Sequence, residues 1–217
     1  EVVSVEELYG YCRRARKIMT GEHAVGRIIA RPFTGNYPEY KRTERRHDFS
    51  LLPTGTTVLE ILERHNLETI GVGKIADIFA GEHISRNLGV NKNNADGMAK
   101  TLALMEEDFQ GLVFVNLVDF DMVYGHRRDV DGYAKAIAEF DRELGTFLTN
   151  MGSQDVLMIT ADHGCDPLAK GTDHTRECVP LLVYGDVIKG NFDLKTLPSF
   201  SVISGMIMNL FELDPAQ

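Results

Sequence analysis

Apolar positions follow two rhythms along this chain. Leu8, Cys12, Ala15 and Met19 recur at helical spacing behind Ser4 and Glu7, which stand three apart as in a capping box, and predict a helix over roughly residues 5–19. A β-branched run at 25–33 then reads as a strand, followed by a Gly/Pro/Tyr-rich loop that leads into a cluster of basic residues. This opening part has too few elements to close a core alone. From Pro53 onward helices alternate with apolar strands: a helix in TTVLEILERHN, a strand at 69–75, a helix over 96–108 and a strand at 111–118. A long helix follows, with Tyr133, Ile137, Phe140, Leu144 and Leu148 on one face, then strands at 155–162 and 179–185 and an apolar helix at 200–210. Near-continuous apolar strands separated by helices predict an α/β fold, with a parallel sheet covered on both faces. Four such strands make only a partial sheet, which leaves an apolar edge.

With 217 residues, 43% of them hydrophobic, the chain can bury a sizeable core, and disorder is excluded as its overall state. No apolar run approaches the roughly 18 residues of a membrane span, and the first ten residues are acidic and amphipathic, unlike a signal peptide. A soluble cytoplasmic protein is expected. Cys12, Cys165 and Cys178 are odd in number and lack metal-ribbon spacing, which suits reduced thiols in that compartment. A net charge of −9 argues against nucleic acid or an anionic membrane as partner. One stretch runs the other way: Arg27, Arg31, Lys41, Arg42, Arg45 and Arg46 face only Glu39 and Glu44. On composition this island is either a solvated charged loop, the more ordinary case, or a site for a small phosphorylated ligand.

Ligands of doubly wound folds gather beyond the carboxyl ends of the strands, and the chemistry-bearing residues cluster there. The strand at 111–118 ends in Asp119-Phe120-Asp121 with His126 close behind; the strand at 155–162 ends in Asp162-His163-Gly164; the loop before the last strand holds Thr172-Asp173-His174-Thr175-Arg176. Taken singly, such an Asp is usually a helix cap and such a His a packed side chain. Carboxylates and imidazoles at three consecutive strand ends together read as a metal site. Mixed oxygen and nitrogen donors suit Mn²⁺ or Zn²⁺. Asp121, His126, Asp162, His163 and His174 are too many for one open catalytic ion and one short of two three-ligand sites. Two ions roughly 3.5–4 Å apart would clamp an in-line phosphoryl displacement. Asp119 is read as a structural acceptor and Cys165 as a bystander. Thr172 and Thr175 are read as buttresses of the His174 loop, and His23, His47, His65 and His83 as surface or packing residues.

NLVDFDMVYGHRRD, TADHGCDP and GTDHTRECVPLLVYG resemble the three metal-binding segments of the alkaline-phosphatase superfamily. GRIIARPF and the following R-H-D narrow the resemblance to the phosphopentomutase family, and TVLEILERHNLETIGVGKIADIF extends it over essentially the whole chain. The resemblance implies an alkaline-phosphatase-like doubly wound core, here a partial sheet over residues 53–217, and part of a smaller α+β cap domain over residues 1–52. It implies that Asp121, His126 and His174 hold one Mn²⁺, and Asp162 and His163 the other. It places Arg27, the backbone at Ile29, and Arg42 against a pentose phosphate, and Lys74 beside the bisphosphate intermediate; Arg176 is read as either a hydrogen-bond partner of the metal ligands or a phosphate contact. The implied reaction interconverts (deoxy)ribose 1-phosphate and 5-phosphate through a phosphothreonine, with a sugar bisphosphate such as glucose 1,6-bisphosphate or ribose 1,5-bisphosphate as activator. The family's nucleophilic Thr and one more metal Asp lie upstream of anything matched here, so the missing N-terminal part is the expected partner. Two alternatives stand beside this reading: another mutase or phosphatase of the superfamily, and a non-catalytic fragment.

Overall fold

A computed structural model describes residues 2–214. The first helix, α1 (Val5–Ile18), starts where Ser4 accepts the Glu7 amide at 3.1 Å, which satisfies one of the open N–H groups of the first turn. The apolar run at 25–33 divides into β1 (Arg27–Ala30) and β2 (Phe33–Thr34), with Pro32 between them. Its carbonyl accepts from the Thr43 amide at 2.9 Å and from the Thr43 hydroxyl at 3.2 Å, which closes the connection.

The basic cluster is partly strand. β3 (Lys41–Arg42) pairs with β2, and β4 (His47–Ser50) pairs antiparallel with β1, setting Ile29 opposite Asp48 and Arg27 opposite Ser50. Side chains alternate across such a ribbon. His47 and Phe49 point toward α1, where both rings meet Tyr9 at centroid distances of 5.3 and 5.8 Å. Asp48 and Ser50 take the opposite face, and the Ser50 hydroxyl donates to the Asp77 carbonyl at 2.7 Å, tying the ribbon to the rest of the chain.

There, α2 (Val58–Arg64), capped by Thr57, precedes β5 (Glu68–Val72), whose Ile70 and Val72 are buried with Leu104. A tight turn at Gly73 leads to the one-turn helix α3 (Ile75–Ile78), so Lys74 caps this helix rather than ending the strand. Gly73 is required: its φ is +85°, and a Cβ there would lie 2.5 Å from the Asn116 carbonyl oxygen. β6 (Arg86–Asn87) and β7 (Gly111–Val115) flank β5 in parallel, in the order β6-β5-β7, with α4 (Asn94–Leu104) between them in sequence. Buried Thr69 is stitched to Ser85 and His83 by hydrogen bonds of 2.5–3.1 Å that satisfy its amide, carbonyl and hydroxyl.

The long helix α5 (Val130–Asn150) leads to β8 (Leu157–Thr160), and β9 (Leu181–Tyr184) precedes the last helix, α6 (Ser201–Leu210). Here the expectation of four parallel strands in one sheet fails. β8 and β9 pair antiparallel in a sheet of their own. The reason lies in the connector: a parallel return needs a crossover, usually helical, whereas the chain between Thr160 and Leu181 holds only turns and the Gly164–Thr175 bridge, and doubles back. β9 is accordingly covered on one face, and Leu182 and Tyr184 are exposed on the other. Among the described residues no helix is long and apolar enough to cross a membrane.

Candidate metal centre

Beyond β7 the backbone widens into a single π-helical turn, Phe120–Gly125. The His126 amide donates to the Asp121 carbonyl at 2.9 Å, a five-residue spacing that places both side chains on one side of the turn. Their heads meet, with His126 Nε2 at 3.2 Å from Asp121 Oδ1. Asp119 holds the turn from behind. It is buried, accepts the Asn94 amide at 2.7 Å and donates its own amide to Asn94 Oδ1 at 3.0 Å, which fixes the turn to the start of α4.

The β8–β9 connector brings the remaining donors. His174 Nε2 lies 3.1 Å from the same Asp121 oxygen, and its ring stacks on His163 with centroids 3.6 Å apart and on His126 at 4.9 Å. Asp162, directly after β8, stands at the rim with its carboxylate largely exposed and 3.4 Å from His163 Nε2. One ligand atom each from Asp121, His163 and His174 falls within 4.8 Å of the others. Asp121, His126, His163 and His174 thus come together, Asp162 touching only its neighbour His163 among the described residues, and the tightest trio mixes the two groups that the resemblance assigns to separate ions.

Ring orientation supports ligation. His126 Nδ1 donates to the Thr172 carbonyl and His163 Nδ1 to the Gly164 carbonyl, the latter at 3.1 Å. A carbonyl can only accept, so each ring donates from Nδ1, which leaves Nε2 as the atom that would face a metal. The donor set therefore fits a first-row divalent cation. Thr175 buttresses the loop as expected, its hydroxyl accepting the Asp166 amide at 2.8 Å and its amide donating to the Gly164 carbonyl at 3.0 Å; Thr172 acts through its carbonyl instead. Cys165 is not a bystander. It donates to Asp121 Oδ1 at 3.5 Å, and burial, then that bond and the carboxylate's charge, push its pKa up to about 11.

The proposed phosphate contacts divide. Arg27 and Ile29 lie on the β1–β4 ribbon, and Lys74 sits half-buried below it, its pKa lowered first by burial and then by Arg46 and Arg27, against the pull of Asp121 and Asp48. Lys74 is thus coupled both to the ribbon's charges and to Asp121 of the metal centre. Arg42 stands exposed on β3 opposite Phe33, and Arg176 is exposed two residues beyond His174. Arg46 entered the sequence reading only as one member of the basic island and Asp48 only as part of R-H-D; the two pair at 2.8 Å, and their i, i+2 spacing on one strand face was the available signal for that pair. His47, His65 and His83 are engaged with aromatic rings, a backbone carbonyl and Glu63 respectively, in keeping with packing or surface roles.

A mixed carboxylate–imidazole centre at the ends of α/β strands defines a metal-dependent enzyme class, and the chain belongs to the metalloenzyme superfamily, whose family model matches residues 17–215. Within it, the chain is similar to proteins named phosphopentomutase. It is 54% identical over 212 residues to that of Lachnoclostridium phytofermentans, covering 98% of this chain and 54% of the relative. To that of Carboxydothermus hydrogenoformans it is 52% identical over 215 residues (99% and 55% covered), and to that of Acetivibrio thermocellus 53% identical over 203 (94% and 52%). The chain spans about half the length of the curated relatives it matches.

Proposed function

We propose that this chain supplies the metal-holding and sugar-phosphate-binding part of a cytoplasmic phosphopentomutase that interconverts (deoxy)ribose 1-phosphate and 5-phosphate through a phosphothreonine. The observation that carries this reading is the convergence of Asp121, His126, His163 and His174 next to a basic ribbon whose Arg27 and Arg46 share a field with Lys74. Asp121, His126 and His174 would hold one Mn²⁺, and Asp162 and His163 the other. Two such ions supply Lewis acidity that neutralises charge on the oxygens of a transferring phosphoryl group.

The residues present have separable tasks. Asp121, His163 and His174 bring one ligand atom each close together with His126 beside them, and the Thr172 and Gly164 carbonyls keep the His126 and His163 rings from turning. Arg27, the backbone at Ile29, Arg42, Lys74 and Arg176 bind and orient the pentose phosphate. Residues 1–52, as a cap, exclude water, so that the phosphoryl group returns to sugar instead of being hydrolysed. The nucleophilic threonine belongs to sequence outside these 217 residues, in keeping with the greater length of the relatives, and a sugar bisphosphate such as glucose 1,6-bisphosphate or ribose 1,5-bisphosphate primes it.

The test is conversion of ribose 1-phosphate to ribose 5-phosphate by the protein as its organism makes it. Asp162→Ala and His126→Ala should each lower turnover by ~100-fold or more, with the thermal melt retained because both side chains face solvent rather than the core. Full turnover in either variant would exclude the reading.

A further inference from the structure

Within the R-H-D triplet Arg46-His47-Asp48, neither Arg46 nor Asp48 has been given a task of its own in ligand binding. Its alternation divides it: His47 packs on Tyr9 and Phe49 of the α1 side, whereas Asp48 turns to the opposite face with Arg27 and Ser50. The Asp48 side chain is only 6% exposed, yet a single oxygen, Oδ2, serves two guanidiniums, Arg46 at 2.8 Å and Arg27 at 3.4 Å. Those guanidinium side chains are 40% and 46% exposed, so the acid is buried and the bases stay open. One carboxylate cannot neutralise two guanidiniums. Lys74, at the start of the helix that the Ser50 hydroxyl anchors, adds a third positive charge near enough to interact with Arg46, Arg27 and Asp48. Three cations around one buried anion leave a surplus that suits a phosphate dianion, and Arg forks match its oxygens.

We propose that Arg46 is a direct phosphate contact and Asp48 a positioning residue, the buried carboxylate holding Arg46 and Arg27 in register so that with Lys74 they form an anion cradle on the metal-centre side of the β1–β4 ribbon. The ligand class is a sugar phosphate; this part rests on the pentose-phosphate reading, whereas the cradle itself does not. The role of Asp48 opposes simple electrostatics. Removing a negative charge beside an anion site strengthens binding if charge alone matters, and weakens it if the charge is what aligns the donors.

Calorimetric titrations of the chain with ribose 5-phosphate and, separately, inorganic phosphate, both in Mn²⁺, distinguish these cases. Arg46→Ala should weaken ribose 5-phosphate binding by about 10-fold or more, as loss of a charged hydrogen bond does, and Arg46→Lys should recover only part of it. Asp48→Asn should also weaken binding, by about 5-fold or more, with manganese affinity unchanged in all three variants. Unchanged affinity in Arg46→Ala overturns the contact, and tighter or unchanged binding in Asp48→Asn overturns the positioning role. Because Arg46 is exposed, its variants decide the cradle even where Asp48→Asn does not fold. Inorganic phosphate bound with the same Arg46 dependence, but no better affinity for ribose 5-phosphate, upholds the cradle and defeats the pentose reading. A wild-type chain that binds neither overturns the cradle itself.

Discussion

Cys165 shows how a side chain outside the proposed ligand set still shapes a ligand. Its thiol touches Asp121 Oδ1, and its sulfur fills the space in front of Gly125 that a Cβ there would need. With the pKa pushed up to about 11, the group is a neutral S–H donor at neutral pH. The sign of that shift is testable on the metal-free chain: the thiolate fraction, and with it the rate of alkylation by iodoacetamide, should still climb about tenfold per pH unit between pH 8 and 10. Peptide-resolved mass spectrometry follows that rate, and a plateau by pH 9 would contradict it. The clustering of Asp121, His126, His163 and His174 was legible in the sequence because acids and imidazoles, ordinary one at a time, recur there at consecutive strand ends. Cys165 and Asp48 were not, since their roles depend on which neighbours the fold delivers across 44 and 21 residues of sequence.

Elements carried the same division. Helices α1, α2 and α5 were readable because their signals are local: Ser4 and Thr57 cap within three residues, and apolar spacing marks the buried faces. The strands β3 and β4 were not, because β3 is only the two exposed basic residues Lys41 and Arg42, and one face of β4 carries ion-paired Asp48 and Ser50 instead of apolar residues, which hides the alternation. Strand direction was illegible for β8 and β9, since it is a property of their connector. Long-range clasps belong to the same category, and the Asp119–Asn94 pair is the clearest. Replacing Asp119 by Ala leaves the part-buried Asn94 amide without its acceptor, at a cost of about 1–3 kcal/mol, and loosens the turn that carries Asp121 and His126. Urea denaturation should register that loss, together with weaker manganese binding by the folded variant. A stability change under about 0.5 kcal/mol, the ordinary range for inconsequential surface changes, would contradict the clasp.

For the whole molecule, the decisive matter is where a phosphoryl group could rest. The hydroxyl of Thr175 is occupied by the Asp166 amide at 2.8 Å, and Thr172 is tied into the same loop by the carbonyl that orients His126. Moving either to act as a nucleophile would dismantle the loop that sets His174 against Asp121. A two-metal transferase requires its nucleophile to be held in line between the ions, free of competing bonds. The 217-residue chain, incubated with Mn²⁺ and glucose 1,6-bisphosphate, should therefore bind metal yet form no phosphothreonine and convert no ribose 1-phosphate. Intact-mass and phosphopeptide analysis read the first outcome, and a coupled assay for ribose 5-phosphate the second. Phosphate found on a threonine would place the nucleophile within this sequence. Thr160, exposed at the end of β8 and bonded only at 3.4 Å to the Ala161 carbonyl, would then be the first residue to replace.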